Sequence, residues 1–215
     1  MEITAIIPAY NEAKTIGAVL TVLIRCSHIN QIIVVSDGST DGTAAIARQY
    51  EGVEVVELPE NRGKGAAMKA GMEQTSAEIV LFLDADLIGL TEAHVDALLE
   101  PVLKEQVVMS LGLFEKGRVA TDLAQKVAPH LTGQRALLRD LFCDLSDLDL
   151  TRFGAEVALH RYVEEKQIPV ALVSLPDLSH LMKEEKLGLW KGLAARGKMY
   201  WEIIKYAASI DLNLK

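Results

Sequence analysis

The sequence predicts an α/β fold, a single domain with a mostly parallel central sheet flanked by helices. Two observations predict it. Short β-rich runs alternate with helically spaced segments through the first hundred residues, the pattern of strand–helix–strand crossovers. Three turns rich in glycine or carboxylates, at 36–42, 61–65 and 84–86, each follow a predicted strand, and ligands collect at the carboxyl ends of strands in such sheets.

In chain order, Ile3 to Ile7 reads as the first strand, which Pro8 ends because it carries no backbone donor. Thr15 to Arg25 has helical spacing, with Ile16, Val19, Leu20 and Leu23 on one face. Gln31 to Val35 is a strand, Thr43 to Tyr50 a helix, Val53 to Leu58 a strand, Ala66 to Thr75 a helix, and Ile79 to Leu83 a wholly apolar strand. Beyond it, Thr91 to Leu103 reads as helix, Val107 to Phe114 as strand and Asp122 to Val127 as helix. Gly133 to Phe142 reads as a loop running into a short helix, Gly154 to Lys166 as an amphipathic helix, and Val170 to Leu175 as a strand. Lys183 to Ile210 is helical in pattern, weakened at Gly188, Gly192 and Gly197. No repeat or low-complexity stretch interrupts the 215 residues.

Composition excludes some functions. A net charge of −8 argues against a nucleic-acid binder, because no basic surplus is available for a phosphate backbone. Seven Lys or Arg against four Asp or Glu from Lys183 onward give a local +3, leaving −11 for the rest. Two cysteines, Cys26 and Cys143, make no C-x-x-C pair and no disulfide framework, so a reduced cytoplasmic location is expected. No signal-peptide pattern opens the sequence, and no apolar run reaches the roughly 18 residues of a spanning helix.

The acidic pair Asp84-Ala85-Asp86 ends the apolar strand 79–83. Two carboxylates at a fixed edge call for a balancing cation, and hard divalent ions such as Mg²⁺ or Mn²⁺ take oxygen ligands while leaving positions for substrate phosphates. A solvated turn, with Asp86 bonded to local backbone, is the plainer reading. The turn Ser36-Asp37-Gly38-Ser39-Thr40-Asp41-Gly42 is equally an Asx-type helix start, or a place where Asp37 meets a nucleobase while glycine allows close approach. Asn61-Arg62-Gly63-Lys64-Gly65 sets two cations before a helix, either as a phosphate cradle or as a solvated loop, and its spacing is not that of a Walker loop.

Four segments in order, Ile6-Ile7-Pro8-Ala9-Tyr10-Asn11-Glu12, Asp37 to Thr43, Asn61 to Gly65 and Leu83 to Asp86, resemble the family 2 glycosyltransferases of the GT-A fold. The resemblance covers most of residues 3–88 and implies a nucleotide-sugar donor. Pro8, Ala9, Tyr10 and Glu12 are then expected to line the base and ribose pocket, with Asp37 on the base. Lys64 is expected near the diphosphate, Asp84 and Ala85 against the ribose or sugar, and Asp86 on a metal bridging the diphosphate. Further along, Gly154-Ala155-Glu156, His160 and Ser179-His180 resemble glucosyl- and mannosyl-3-phosphoglycerate synthases, whose late histidine joins the metal shell. That makes His180 the candidate third ligand, with a packed or solvated loop histidine as the alternative. Glu156 is the candidate for holding an acceptor hydroxyl or acting as general base, beside Asp84 in the catalytic set. His160 reads as its surface partner. Gly133 and Arg135 are candidates for an acceptor loop, with Arg135 offering a fork to phosphate.

The segment 187–206 interleaves Leu189, Trp190, Leu193, Met199, Tyr200, Trp201 and Ile204 with four cations, a composition suited either to packing on the domain or a second subunit, or to an anionic membrane surface. Peripheral contact at the inner face of the membrane would suit a polyprenyl-phosphate acceptor. The organisation expected is a GT-A domain over 1–182, with a nucleotide-sugar half at 1–90, an acceptor half at 91–182, and a helical extension at 183–215. The function expected is metal-dependent transfer of a hexose from a donor of UDP-glucose or GDP-mannose type to a small phosphorylated or polyprenyl-phosphate acceptor. A nucleotidyltransferase and a non-catalytic nucleotide-sugar-binding subunit are the alternatives.

Overall fold

A computed structural model of the chain describes residues 1–115, 132–143, 159 and 162–180. Glu156, His160, the expected helix at 122–127 and the amphipathic segment 187–206 lie outside the described residues. The chain divides into two compact units, Met1–Ser179 and His180–Lys215. Of the second, only His180 is described, as the last residue of a short strand.

The first half follows the predicted alternation. Strands β1 (Ile3–Ala9), β2 (Gln31–Asp37), β3 (Val53–Leu58) and β4 (Ile79–Phe82) are joined through helices α1 (Ile16–Leu23), α2 (Thr43–Ala47) and α3 (Lys64–Met72). Then come β5 (Leu87–Ile88), α4 (Glu92–Leu103), β6 (Met109–Glu115), β7 (Arg135–Leu138), α5 (Arg139–Cys143), β8 (Val170–Pro176) and β9 (Ser179–His180), with helical backbone also at 162–165. The main sheet has the order β3-β2-β1-β4-β7-β6-β8, and β5 pairs with β9 in a separate two-stranded sheet. Pairs β1–β2, β1–β4, β2–β3 and β6–β8 are parallel, whereas β7 runs antiparallel to both β4 and β6. The chain order turns back at β1, whose neighbours are β2 and β4, so the carboxyl ends of these strands border the crevice where such sheets bind ligands.

Period-two alternation along buried strands feeds two apolar layers. Ile3, Ala5, Ile7, Val34, Ile79, Leu81 and Leu83 pack with α1 (Ile16, Val19, Leu20, Leu23) and α4 (Val95, Leu98, Leu99). Ile6, Ile33, Val35, Val80 and Phe82 pack on the other face with Ala67, Met68 and Met72 of α3. Phe82 also meets Phe142 of α5 at 5.5 Å between ring centroids. Helix α4 begins in a capping box, in which Thr91 Oγ1 accepts the His94 N–H and His94 Nδ1 accepts the Thr91 N–H.

Three expectations are corrected. Residues 133–142 are expected to be loop and then helix; the short helix is present as α5, but Arg135 to Leu138 before it form β7 between β4 and β6. Arg, Ala and Leu favour helix locally, and the open edge of β4 overrides that propensity by offering a full ladder. Helices α2 and α3 end three residues earlier than their patterns suggested, and α3 begins two earlier, directly after Gly63. The two-residue strands β5 and β9 were not anticipated, being too short to carry any period.

Candidate functional site

The turns after β1 and β2 are laced together. Asn11, at φ 56°, occupies the left-handed region that Asn tolerates. Its N–H donates to Ser39 Oγ at 3.1 Å, and its Oδ1 accepts the Thr40 N–H at 2.8 Å. The Glu12 N–H donates to Thr43 Oγ1 (2.8 Å) and the Ala13 N–H to Asp41 Oδ2 (3.0 Å). Burial is the largest single influence on the Asp41 carboxylate and raises its pKa, but bonds from the Thr43 hydroxyl and the Ala13 and Thr43 N–H groups together outweigh it and hold the pKa below the usual value. Pro8 and Ala9 close β1 as buried residues, Glu12 is half-buried and accepts the Thr15 hydroxyl, and Tyr10 stands 48% exposed on the rim.

Asp37 ends β2 at 3% exposure and accepts two backbone bonds, from the N–H groups of Arg62 and Gly63, both at 2.8 Å. It thus braces the loop that launches α3. Gly38 makes this approach possible: its φ is +65°, and a Cβ there would lie 2.4 Å from the Glu60 carbonyl carbon. Helix α3 starts at Lys64 with no side-chain N-cap, so its positive end faces the same edge as the Lys64 ammonium.

Lys64 Nζ pairs with Asp84 Oδ1, with both side chains largely buried. The other Asp84 oxygen accepts the Gln134 Nε2–H at 2.9 Å, and Gln134 Oε1 accepts the Asp84 N–H at 3.0 Å. Ala85 is buried, while Asp86 and His180 are half-buried. One ligand atom from each of Asp84, Asp86 and His180 falls within 4.8 Å of the others. Two carboxylate oxygens and an imidazole nitrogen form a donor set that fits Mn²⁺ or Mg²⁺, the nitrogen favouring Mn²⁺. The strand carrying His180 follows a tie between the His94 ring and the Pro176 carbonyl (Nε2···O 3.0 Å).

Gly133 is brought to Asp84, since a Cβ on it would lie 2.3 Å from Asp84 Oδ2 and 2.5 Å from Lys64 Nζ. Arg135 is placed otherwise than as an acceptor-loop residue. It is 1% exposed in β7 and donates to the Thr132 carbonyl, so its guanidinium lies beneath the edge rather than open on it. Gln134, which the reading of motifs passed over, is fully buried at the centre of the site. Its only sequence signal is its place between Gly133 and Arg135.

Residues 4–156 match the model of the family described as Glycosyl transferase family 2. The chain belongs to this glycosyltransferase family. It is 37% identical over 120 residues to the dolichyl-phosphate beta-glucosyltransferase of Drosophila melanogaster, covering 49% of this chain and 36% of that protein. It is 34% identical over 96 residues to the dodecaprenyl-phosphate galacturonate synthase of Rhizobium johnstonii, covering 40% and 28%. The chain therefore spans only about a third of the length of these curated relatives. Among solved structures, glucosyl-3-phosphoglycerate synthase of Mycobacterium tuberculosis bound to Mn²⁺, UDP and glucosyl-3-phosphoglycerate superposes with a TM-score of 0.70 at 28% identity, over 84% of this chain and 72% of that one. The same synthase with Mg²⁺ and UDP also gives 0.70 at 28% identity, over 84% and 71%. These likenesses carry the GT-A fold of the glycosyltransferase family over to this chain.

Proposed function

We propose that this glycosyltransferase chain transfers a hexose from a nucleoside-diphosphate sugar, of UDP-glucose or GDP-mannose type, to an acceptor bearing a phosphate. The observation that carries the reading is the convergence of Asp84, Asp86 and His180 at the carboxyl end of β4, beside the turn of strand order at β1. Asp86 and His180 would hold a divalent cation, Mn²⁺ or Mg²⁺, whose chemistry here would be charge stabilisation of the leaving diphosphate. Pro8, Ala9, Tyr10 and Glu12 border the nucleoside. Asp37 serves it through the loop it braces, and the α3 N-terminus adds dipole attraction for the diphosphate. Asp84 and Ala85 face the sugar, and the ammonium of Lys64, paired with Asp84, serves the diphosphate. Residues 1–90 form the donor half in this reading. The acceptor half, 91–182, includes Gly133 near the sugar and Glu156 as the group that holds or deprotonates the acceptor hydroxyl.

Support for the acceptor comes from two sides. Relatives named for dolichyl and dodecaprenyl phosphates share the sequence, while a synthase of glucosyl-3-phosphoglycerate shares the fold. A phosphate is common to both. Thermal unfolding with UDP-glucose or GDP-mannose, with and without Mn²⁺, tests the donor, since a ligand at 100 times its Kd stabilises the native state by about 2.7 kcal/mol. Metal-dependent stabilisation by one of the two is expected, and no shift with either would overturn the reading. Transfer of radiolabelled sugar to 3-phosphoglycerate or to a polyprenyl phosphate in detergent then separates the acceptors.

A further inference from the structure

We infer that Gln134, with the space left by Gly133, is the positioning device of the donor carboxylate. Gln134 locks Asp84 in the single orientation in which Lys64 and the sugar share its other oxygen. The inference rests on the reading of Asp84 as a sugar-facing residue.

The antiparallel course of β7 produces the arrangement. Phe82 of β4 pairs with Arg135, and continuing that register places Gln134 opposite Leu83 and Gly133 opposite Asp84. The primary amide of Gln134 is the side chain suited to the task. It offers an acceptor and a donor on one rigid plane, and Asp84 presents a main-chain N–H and a carboxylate oxygen that match them. A carboxylate at 134 would keep the first bond and turn the second into repulsion between two acceptors. An apolar side chain of the same length would fill the space and lose both. Gln134 is fully buried, so the pair acts where hydrogen bonds are least weakened by water. Gly133 excludes any side chain from the remaining approach, because a Cβ there would collide with both Asp84 and Lys64. The carboxylate is therefore bonded by Lys64 on one oxygen and Gln134 on the other, and is backed by bare main chain.

Holding a rotamer in advance lowers the ordering cost when the donor binds, and this cost appears in donor affinity. Gln134→Met and Gln134→Glu, each alone and combined with Asp84→Ala, test the idea. For the chain without ligand, the thermal midpoints of Gln134→Met and Asp84→Ala are expected to be non-additive by about 2–4 °C, as befits directly coupled side chains. Additive midpoints would overturn the inference whatever the donor. With Mn²⁺ present, calorimetry of UDP-glucose and GDP-mannose is expected to show about tenfold weaker donor binding for both single variants at 134, and no further loss when Asp84 is already alanine. Restoration of affinity by Gln134→Glu would mean that shape alone matters and would also overturn it. Failure of Asp84→Ala to weaken the donor would instead sink the sugar-facing reading, while the unfolding cycle still decides whether Gln134 positions Asp84.

Discussion

Two aspartates at two strand ends serve different purposes. Asp37, after β2, accepts main-chain N–H groups of Arg62 and Gly63, groups fixed by the fold itself. Asp84, after β4, accepts side-chain groups of Lys64 and Gln134. A carboxylate bonded to backbone amides is committed to holding a loop, because releasing it leaves buried donors unmatched. A carboxylate bonded to an ammonium and an amide side chain can share the oxygen facing the ammonium with a ligand while the amide keeps its orientation. Asp37 is buried and Asp84 half-buried, but exposure does not by itself explain the difference in role. The chemical nature of the partners does.

The sharpest way to break the comparison is at the metal end. Asp86→Ala is expected to lower turnover at least about a thousandfold, because charge stabilisation of the leaving group is lost. A steady-state assay over a Mn²⁺ series checks it, and full activity would detach this strand end from catalysis. Next in size, Asp37→Ala is expected to cost about 1–3 kcal/mol of stability by orphaning the buried Gly63 N–H and the partly buried Arg62 N–H, with donor affinity falling as the loop loosens. Urea unfolding measures the first effect. A variant as stable as the parent would show that Asp37 is no brace. Gly38→Val is expected to destabilise by a similar or smaller amount, since its Cβ would strike the main chain of Glu60 and Asn61 in a backbone conformation valine avoids.

Smaller effects lie outside the pair. Asp41 has a lowered folded pKa, so its contribution to stability is present above the unfolded value of 3.8 and is lost as pH falls through the folded value. Asp41→Asn is thus expected to flatten the acid limb of the stability curve slightly, the group being mostly exposed. Smallest of all is the contrast between thiols. Burial, with added repulsion from Glu92 and Asp96, raises the Cys26 pKa to about 11, whereas Cys143 is half-buried. At pH 8 only about one Cys26 in a thousand is thiolate. A thiol reagent is expected to label Cys143 first in the native protein, and mass spectrometry of tryptic peptides would show the order.

Much of the first half was legible because each motif there is contiguous. Strand, turn and helix start are neighbours in the chain, so Asp37, Lys64 and Asp84 could be found by reading along it. The braces were less legible. That Asp37 holds Arg62 and Gly63 follows from how the turns after β2 and β3 approach one another, which spacing does not encode. Gln134 was invisible for a stronger reason. It lies 50 residues from its partner, in a stretch whose local propensity is helical, and reaches Asp84 only through cross-strand pairing. His180 was found through resemblance, although its two-residue strand has no period to read.

The lone reversed strand of the described sheet gives activity a second meaning. Side chains alternate along β7, so a slip of one residue against β4 would exchange its faces and carry Gln134 and Gly133 away from Asp84. Ala136 and Leu137, buried in opposite apolar layers, oppose that slip. Activity therefore depends on the packing that sets this strand's register as well as on the side chains of the site itself.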